Sequence, residues 1–183
     1  MSGELRHELD GDVASTFVAA ARECLDEGLH KIEHCLGQLD DEAVWWRPTP
    51  QQNSIANLML HLSGNLRQWI AHGVGGAPDV RNRPMEFDDR SGRPRAELLE
   101  TLRAAVRAAD EVIAALTAQR LVQPRRIQGF DANMLAAVLS SVAHFRGHTQ
   151  EIIHITRARL GDAYRFDFVP QGLEQVAAGG ENP

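Results

Sequence analysis

The sequence predicts an all-α fold, a bundle of four helices, on three observations. Apolar residues recur at three- and four-residue spacing through four long segments, the signature of helices that bury one face. The composition is 43% hydrophobic but only 5% aromatic, with abundant Ala and Leu, which leans toward helix. Proline and glycine gather between the periodic segments, at 48–50, 73–93 and 124–129. At 183 residues the chain is long enough to bury a real core, and 1–183 is expected to form a single domain with its core over about 12–161.

The formal net charge of -6 without a basic block argues against a nucleic-acid partner. No apolar run approaches the roughly 18 residues a membrane span needs. The first residues, Met1-Ser2-Gly3-Glu4-Leu5-Arg6, lack the apolar stretch of a signal peptide. Cys24 and Cys35 fall on one expected helix, about 16 Å apart at a rise of about 1.5 Å per residue, too far to bridge. The expectation is a reduced, cytoplasmic protein with no membrane partner.

Helix one is expected over 12 to about 39, with Phe17, Ala20, Ala21, Cys24, Leu25, Gly28, Ile32, Cys35, Leu36 and Leu39 on one arc. Within it, His30-Lys31-Ile32-Glu33-His34 fits the H-x-x-E-H pattern of inverted zinc peptidases. Its histidines fall away from the apolar arc, so they are expected to face solvent or a partner subunit rather than hold a metal. Residues 40–50 form a connector closed by Pro48 and Pro50, with Trp45 and Trp46 as packing anchors. Helix two is capped by Asn53 or Ser54 and runs to about His72. Ile55, Leu58, Met59, Leu62, Leu66, Trp69 and Ile70 form its buried stripe, with His61 and Asn65 along one edge.

Residues 73–93 form a long loop rich in charge, including Arg81, Arg83, Glu86, Asp88, Asp89 and Arg90. A loop of that length inside a small domain calls for a reason. It is long enough for helix three to start at the bundle end where helix two started, one long crossover, and its arginines can supply anion-binding guanidiniums at a site mouth. Helix three follows, with Pro94 in its first turn, to about 118. It carries no His or Cys. After a link at 123–130 with a strand-like character, Asp131 caps helix four, which continues to Leu160 and stops at Gly161. Met134, Leu135, Val138, Leu139, Val142, Phe145, Ile152 and Ile153 lie on or near its buried arc, with small residues at Ala136, Ala137, Ser140 and Ser141. The segment from Ala177 to Pro183 is expected to be disordered.

The chemistry concentrates in helix four. His144 and His148 stand one turn apart, so both imidazoles can point at one centre, whereas His154 lies on another side. His61, on a facing helix, is the candidate third ligand. Three neutral imidazoles suit zinc, nickel or iron, and three protein ligands leave a position open for water or substrate, as catalytic sites do. Glu151, three residues after His148, is a candidate fourth ligand, an acceptor orienting a histidine, or a general base.

The segments Asn53-Ser54-Ile55-Ala56-Asn57-Leu58-Met59-Leu60-His61-Leu62-Ser63-Gly64-Asn65-Leu66-Arg67-Gln68-Trp69-Ile70, Arg81-Asn82-Arg83-Pro84 with Glu86-Phe87, and His144-Phe145-Arg146-Gly147-His148 together resemble the DinB-like superfamily, in its uncharacterised damage-inducible branch. That resemblance implies an up-down-down-up bundle with the long connection between helices two and three. It implies a three-histidine site at His61, His144 and His148, zinc or nickel as the ion, and a homodimer. Characterised relatives include bacillithiol transferases and a mycothiol-dependent maleylpyruvate isomerase, and relatives often carry Gln at the position of Glu151. Three functions follow as expectations. The first is a metal-dependent thiol transferase or isomerase, acting on a small molecule with a low-molecular-weight thiol. The second is a metal-dependent hydrolase in which Glu151 or Asn65 positions the nucleophile. The third is a non-catalytic metal-binding stress-response protein.

Overall fold

The computed structural model describes residues 3–168. It is mostly helical, with seven α-helices and one two-stranded hairpin among those residues. Helix α1 spans Gly3–Leu36, starting well before the apolar pattern does. Ala21, Leu25, Ile32, Cys35 and Leu36 are buried along it, whereas Ala20, expected on the same face, is exposed. Gly28 sits where a Cβ would lie 2.7 Å from the Phe145 ring, so only glycine lets α1 approach its neighbour this closely.

The connector that follows holds a single-turn helix, α2 (Asp41–Trp45), whose cap Asp40 accepts from the Ala43 amide. Trp45 and Trp46 are half-buried against the core, and Trp45 Nε1 donates to the Arg93 carbonyl at 2.9 Å. Helix α3 (Ile55–Leu66) is capped by Ser54 in a reciprocal box with Asn57. Asn57 does more than cap. Its Nδ2 also donates to the carbonyls of Glu86 (2.9 Å) and Asp89 (3.2 Å), tying the distant loop to α3.

Beyond Leu66 the expected helix changes character, for Arg67–Val74 is a π-helix. The wider turn carries Gln68 into a buried position and lets Gly73 meet Ile127, whose Cδ1 would be 2.4 Å from an added Cβ. π-turns of this kind are rare and recur beside functional sites. The loop after it is not structureless: α4 (Arg83–Asp88), with Pro84 in its first turn, lies inside it. Helix α5 covers Arg95–Ala114, ending four residues before the expected stop, and α6 (Ala118–Leu121) follows.

The strand-like link is an antiparallel hairpin, β1 (Pro124–Ile127) with β2 (Phe130–Asn133), in which Ile127 pairs with Phe130. Gln128 and Gly129 both take positive φ, as the tightest two-residue hairpin turns require. The hairpin takes Asp131, the expected cap, into β2. Asn133 caps α7 (Met134–Leu160) instead, accepting from Ala136 N at 2.8 Å. Gly161 ends α7 as expected, at φ 55. Leu139, placed on the buried arc from sequence, is exposed. The residues from Ala177 lie outside those described.

The four long helices share one apolar core. Helix α1 packs on α5 and α7, and α3 with its π-extension packs on the same two, so α1 and α3 take opposite corners. This arrangement sets α3 beside α7, the two helices that carry the candidate ligands. The connections at 37–54, 75–94 and 115–133 are of similar length and each holds short elements of its own, so loop length alone does not mark out the crossover. Among the described residues, no helix is long and apolar enough to cross a membrane.

Candidate metal centre

His61 projects from the middle of α3, and His144 and His148 from successive turns of α7. Each offers a ring nitrogen, and the three nitrogens lie within 4.8 Å of one another. Among the described residues they form the one such histidine, cysteine or carboxylate cluster. The ring centroids are 4.9 Å apart for His61 and His144, 5.2 Å for His61 and His148, and 4.5 Å for His144 and His148. His61 is buried and the other two are half-buried.

What stands behind His61 decides its chemistry. Glu86, from α4, places Oε2 2.9 Å from His61 Nδ1. Arg81 holds that carboxylate in a fork, Nε to Oε1 at 2.6 Å and an η-nitrogen to Oε2 at 2.8 Å, and gives its other η-nitrogen to Gln68 Oε1 at 2.9 Å. Gln68 in turn donates to Asp79 Oδ2 at 2.8 Å. Burial pushes the Glu86 carboxyl up, but the hydrogen bonds and charges of Arg81 and His61 outweigh it and hold the group below the ordinary carboxylate range. An ionised carboxylate only accepts, so His61 Nδ1 carries the proton and Nε2 presents a lone pair. The backbone makes room for this. Gly64 lies beneath Glu86, and a Cβ there would be 2.0 Å from Oε1.

That lone pair faces His144. The two Nε2 atoms are 3.1 Å apart, close to the separation of about 3.3 Å for two nitrogens sharing a tetrahedral zinc at ~2.05 Å each. His144 Nδ1 is buried with no hydrogen-bond partner among the described residues. Burial first, then electrostatic interaction with His148, His61, Arg81 and Arg83, pushes His144 down to about 4. It is therefore neutral at physiological pH, the form in which imidazole binds a metal. Ring nitrogens converging within metal-sharing distance, with His144 neutral, fit a divalent cation held by the three rings.

Glu151 and Asn65 stand close to the three histidines, whereas His30 and His34 do not. Glu151 Oε2 lies 2.7 Å from His148 Nδ1 and is exposed, so it sits behind His148 as Glu86 sits behind His61. Asn65 is buried and its Oδ1 accepts from Ser141 Oγ at 2.9 Å, tying α3 to α7 one turn along from the His61–His144 pair. His30 is exposed, and His34 Nε2 meets the Arg165 carbonyl at 2.6 Å. Neither joins a cluster of candidate ligands. Arg81, expected to be available to anions, is occupied by Glu86. Glu86 as the partner of His61 is what sequence reasoning missed. The signal was the carboxylate inside the Arg81–Phe87 segment, with nothing in its spacing to link it to α3. A cleft of about 310 Å³ lies on the far side of Glu86, between α3 and the loop, and the histidines do not line it.

No curated protein matches the chain. Among solved structures, a conserved protein from Enterococcus faecalis superposes with a TM-score of 0.63 at 16% identity, over 76% of this chain and 94% of that one. A DinB-like protein from Bacillus cereus gives 0.62 at 12% identity, over 78% of this chain and 90% of that one. At such identities the likeness concerns the fold, and the fold is DinB-like. The model of a family described as a protein of unknown function, DUF1572, matches residues 12–173, and the chain belongs to that family.

Proposed function

We propose that this protein is a metal-dependent enzyme of the thiol S-transferase or isomerase type. In this reading His61, His144 and His148 hold one divalent ion, zinc or nickel, with iron also within reach of the donor set. One observation carries it: three imidazoles from two helices converge, one with its tautomer set by a buried carboxylate, and no carboxylate or thiol joins them as a fourth ligand among the described residues. Three ligands leave coordination positions open, the arrangement of catalytic rather than structural sites. When bound there, such an ion supplies Lewis acidity and lowers the pKa of a thiol or water brought to it.

The chain's own residues do the rest. Glu86 keeps the proton on His61 Nδ1, so that Nε2 stays free to bind. Glu151 fixes the His148 ring and, being exposed at the rim, can take a proton from an incoming group. Asn65, bonded to Ser141, holds the two ligand-bearing helices in register and is the second candidate for positioning the reacting groups. The same reading includes a homodimer with an up-down-down-up order of the long helices, and no nucleic-acid or membrane partner. A cytoplasmic location is supported by two unbridged cysteines, Cys24 and Cys35.

The test is turnover. Zinc- or nickel-loaded protein is mixed with low-molecular-weight thiols and an aryl halide electrophile, and the thioether product is followed. Product that requires both thiol and metal is expected. Ester or amide hydrolysis without added thiol would move the assignment to a hydrolase, and metal uptake without turnover of any panel would leave a metal-binding protein.

A further inference from the structure

The loop between the π-turn and α5 brings two arginines near the histidines, and the fold uses them oppositely. The Arg81 side chain is only 4% exposed, and its donors are taken by Glu86 and Gln68. Arg83 is exposed, and its guanidinium meets no carboxylate among the described residues. Its Cζ lies 4.9 Å from the centroid of the Phe87 ring, one helical turn along α4. Phe87 in turn leans on His61, with centroids 4.8 Å apart and planes at 42°. An unpaired surface arginine normally samples many rotamers. Here the cation–π contact and the i,i+4 spacing hold it over an apolar ring. The stack Arg83–Phe87–His61 therefore sets a planar, unused donor fork at the rim of the histidine centre.

We propose that Arg83 and Phe87 form an anion subsite of this centre, and that its substrate is a small carboxylate-bearing molecule. The carboxylate pairs with the Arg83 fork, whose geometry matches it bidentately. The carbon skeleton lies against Phe87, and the reactive end reaches the histidines. Arg81 cannot serve in its place, because turning toward a ligand would leave Glu86 buried without its counter-charge. The inference takes the location of the reacting end from the function proposed above, but the anion preference stands on Arg83 and Phe87 alone.

The probes are 3-mercaptopropionate and its neutral isostere 3-mercaptopropionamide. Each is titrated into zinc-loaded and metal-free protein while the imidazole carbon-bound protons are followed by NMR, and zinc content is measured separately. Wild-type protein is expected to bind the acid roughly tenfold more tightly than the amide, the worth of one charge-assisted hydrogen-bonded pair. Arg83→Gln should level the two while leaving amide affinity and zinc content unchanged, and Arg83→Lys should restore part of the preference. An equal or absent response to acid and amide in the wild type, or a preference that survives Arg83→Gln, overturns the subsite. The two readings fail separately. A protein that takes up no zinc yet keeps an Arg83-dependent preference loses the metal and keeps the subsite. One that holds zinc without the preference does the reverse.

Discussion

Glu86 Oε2 stands 2.9 Å from His61 Nδ1, and that contact determines which nitrogen of His61 faces the other two histidines. The carboxylate is itself clamped by Arg81 and seated over Gly64, where no Cβ intrudes. The orientation of one ring thus depends on a segment 25 residues further along the chain.

Replacing a ligand should empty the centre. His144→Ala or His148→Ala is expected to lose most bound zinc or nickel, measured by elemental analysis after purification in the presence of the metal. His30→Ala and His34→Ala should retain it, because His30 is exposed and His34 bonds to the Arg165 carbonyl. Full metal content in the His148 variant would remove the three-histidine site.

Glu86 is expected to matter nearly as much as the ligands. Removing the partner of a metal-binding histidine typically weakens the metal about 10- to 100-fold, so Glu86→Gln should raise the zinc dissociation constant by that range in a chelator competition. Glu151→Gln, at an exposed position beside the half-buried His148, should have the smaller effect. Circular dichroism separates loss of affinity from loss of fold, since Arg81 would then lack its carboxylate and stability should also fall, by about 3 kcal/mol. Unchanged zinc affinity in a folded Glu86→Gln protein would show that the contact does not orient His61.

Acid should weaken the metal-free protein through His144. Burial, together with electrostatic interaction with His148, His61, Arg81 and Arg83, lowers this group from 6.5 to about 4 in the folded state. A histidine with a depressed folded value binds fewer protons folded than unfolded, so its contribution is fully present above pH ~6.5 and is lost as pH falls from there through about 4. Urea denaturation of metal-free wild type should therefore show a steeper loss of stability across that window than His144→Gln. Parallel curves for the two proteins would contradict the assignment.

Much of this was legible in one dimension. His144 and His148 announce a shared centre because four residues make nearly one helical turn, and His61 stands on the edge of a regular apolar stripe. Ser54 and Gly161 mark helix ends through local hydrogen bonding and positive φ. The errors occur where a local preference was outcompeted. Asp131 has the chemistry of a cap, but the turn at Gln128-Gly129 pairs it into β2 and passes the role to Asn133. The π-helix at Arg67–Val74 has no periodic signature distinct from an α-helix over so few residues, and the close approach of Gly73 to Ile127 that accompanies it joins residues 54 positions apart.

The sequence by itself determined the helical class, the two-histidine pair on α7 and the polar edge of α3, because these rest on spacings within one element. Only the tertiary structure decided that α3 and α7 lie side by side, that Glu86 rather than Glu151 is the buried carboxylate behind the centre, and that Arg81 is occupied while Arg83 is open to solvent. Contacts of that kind join residues tens of positions apart. They depend on how buried charges find partners when the core closes, and no periodicity records the outcome.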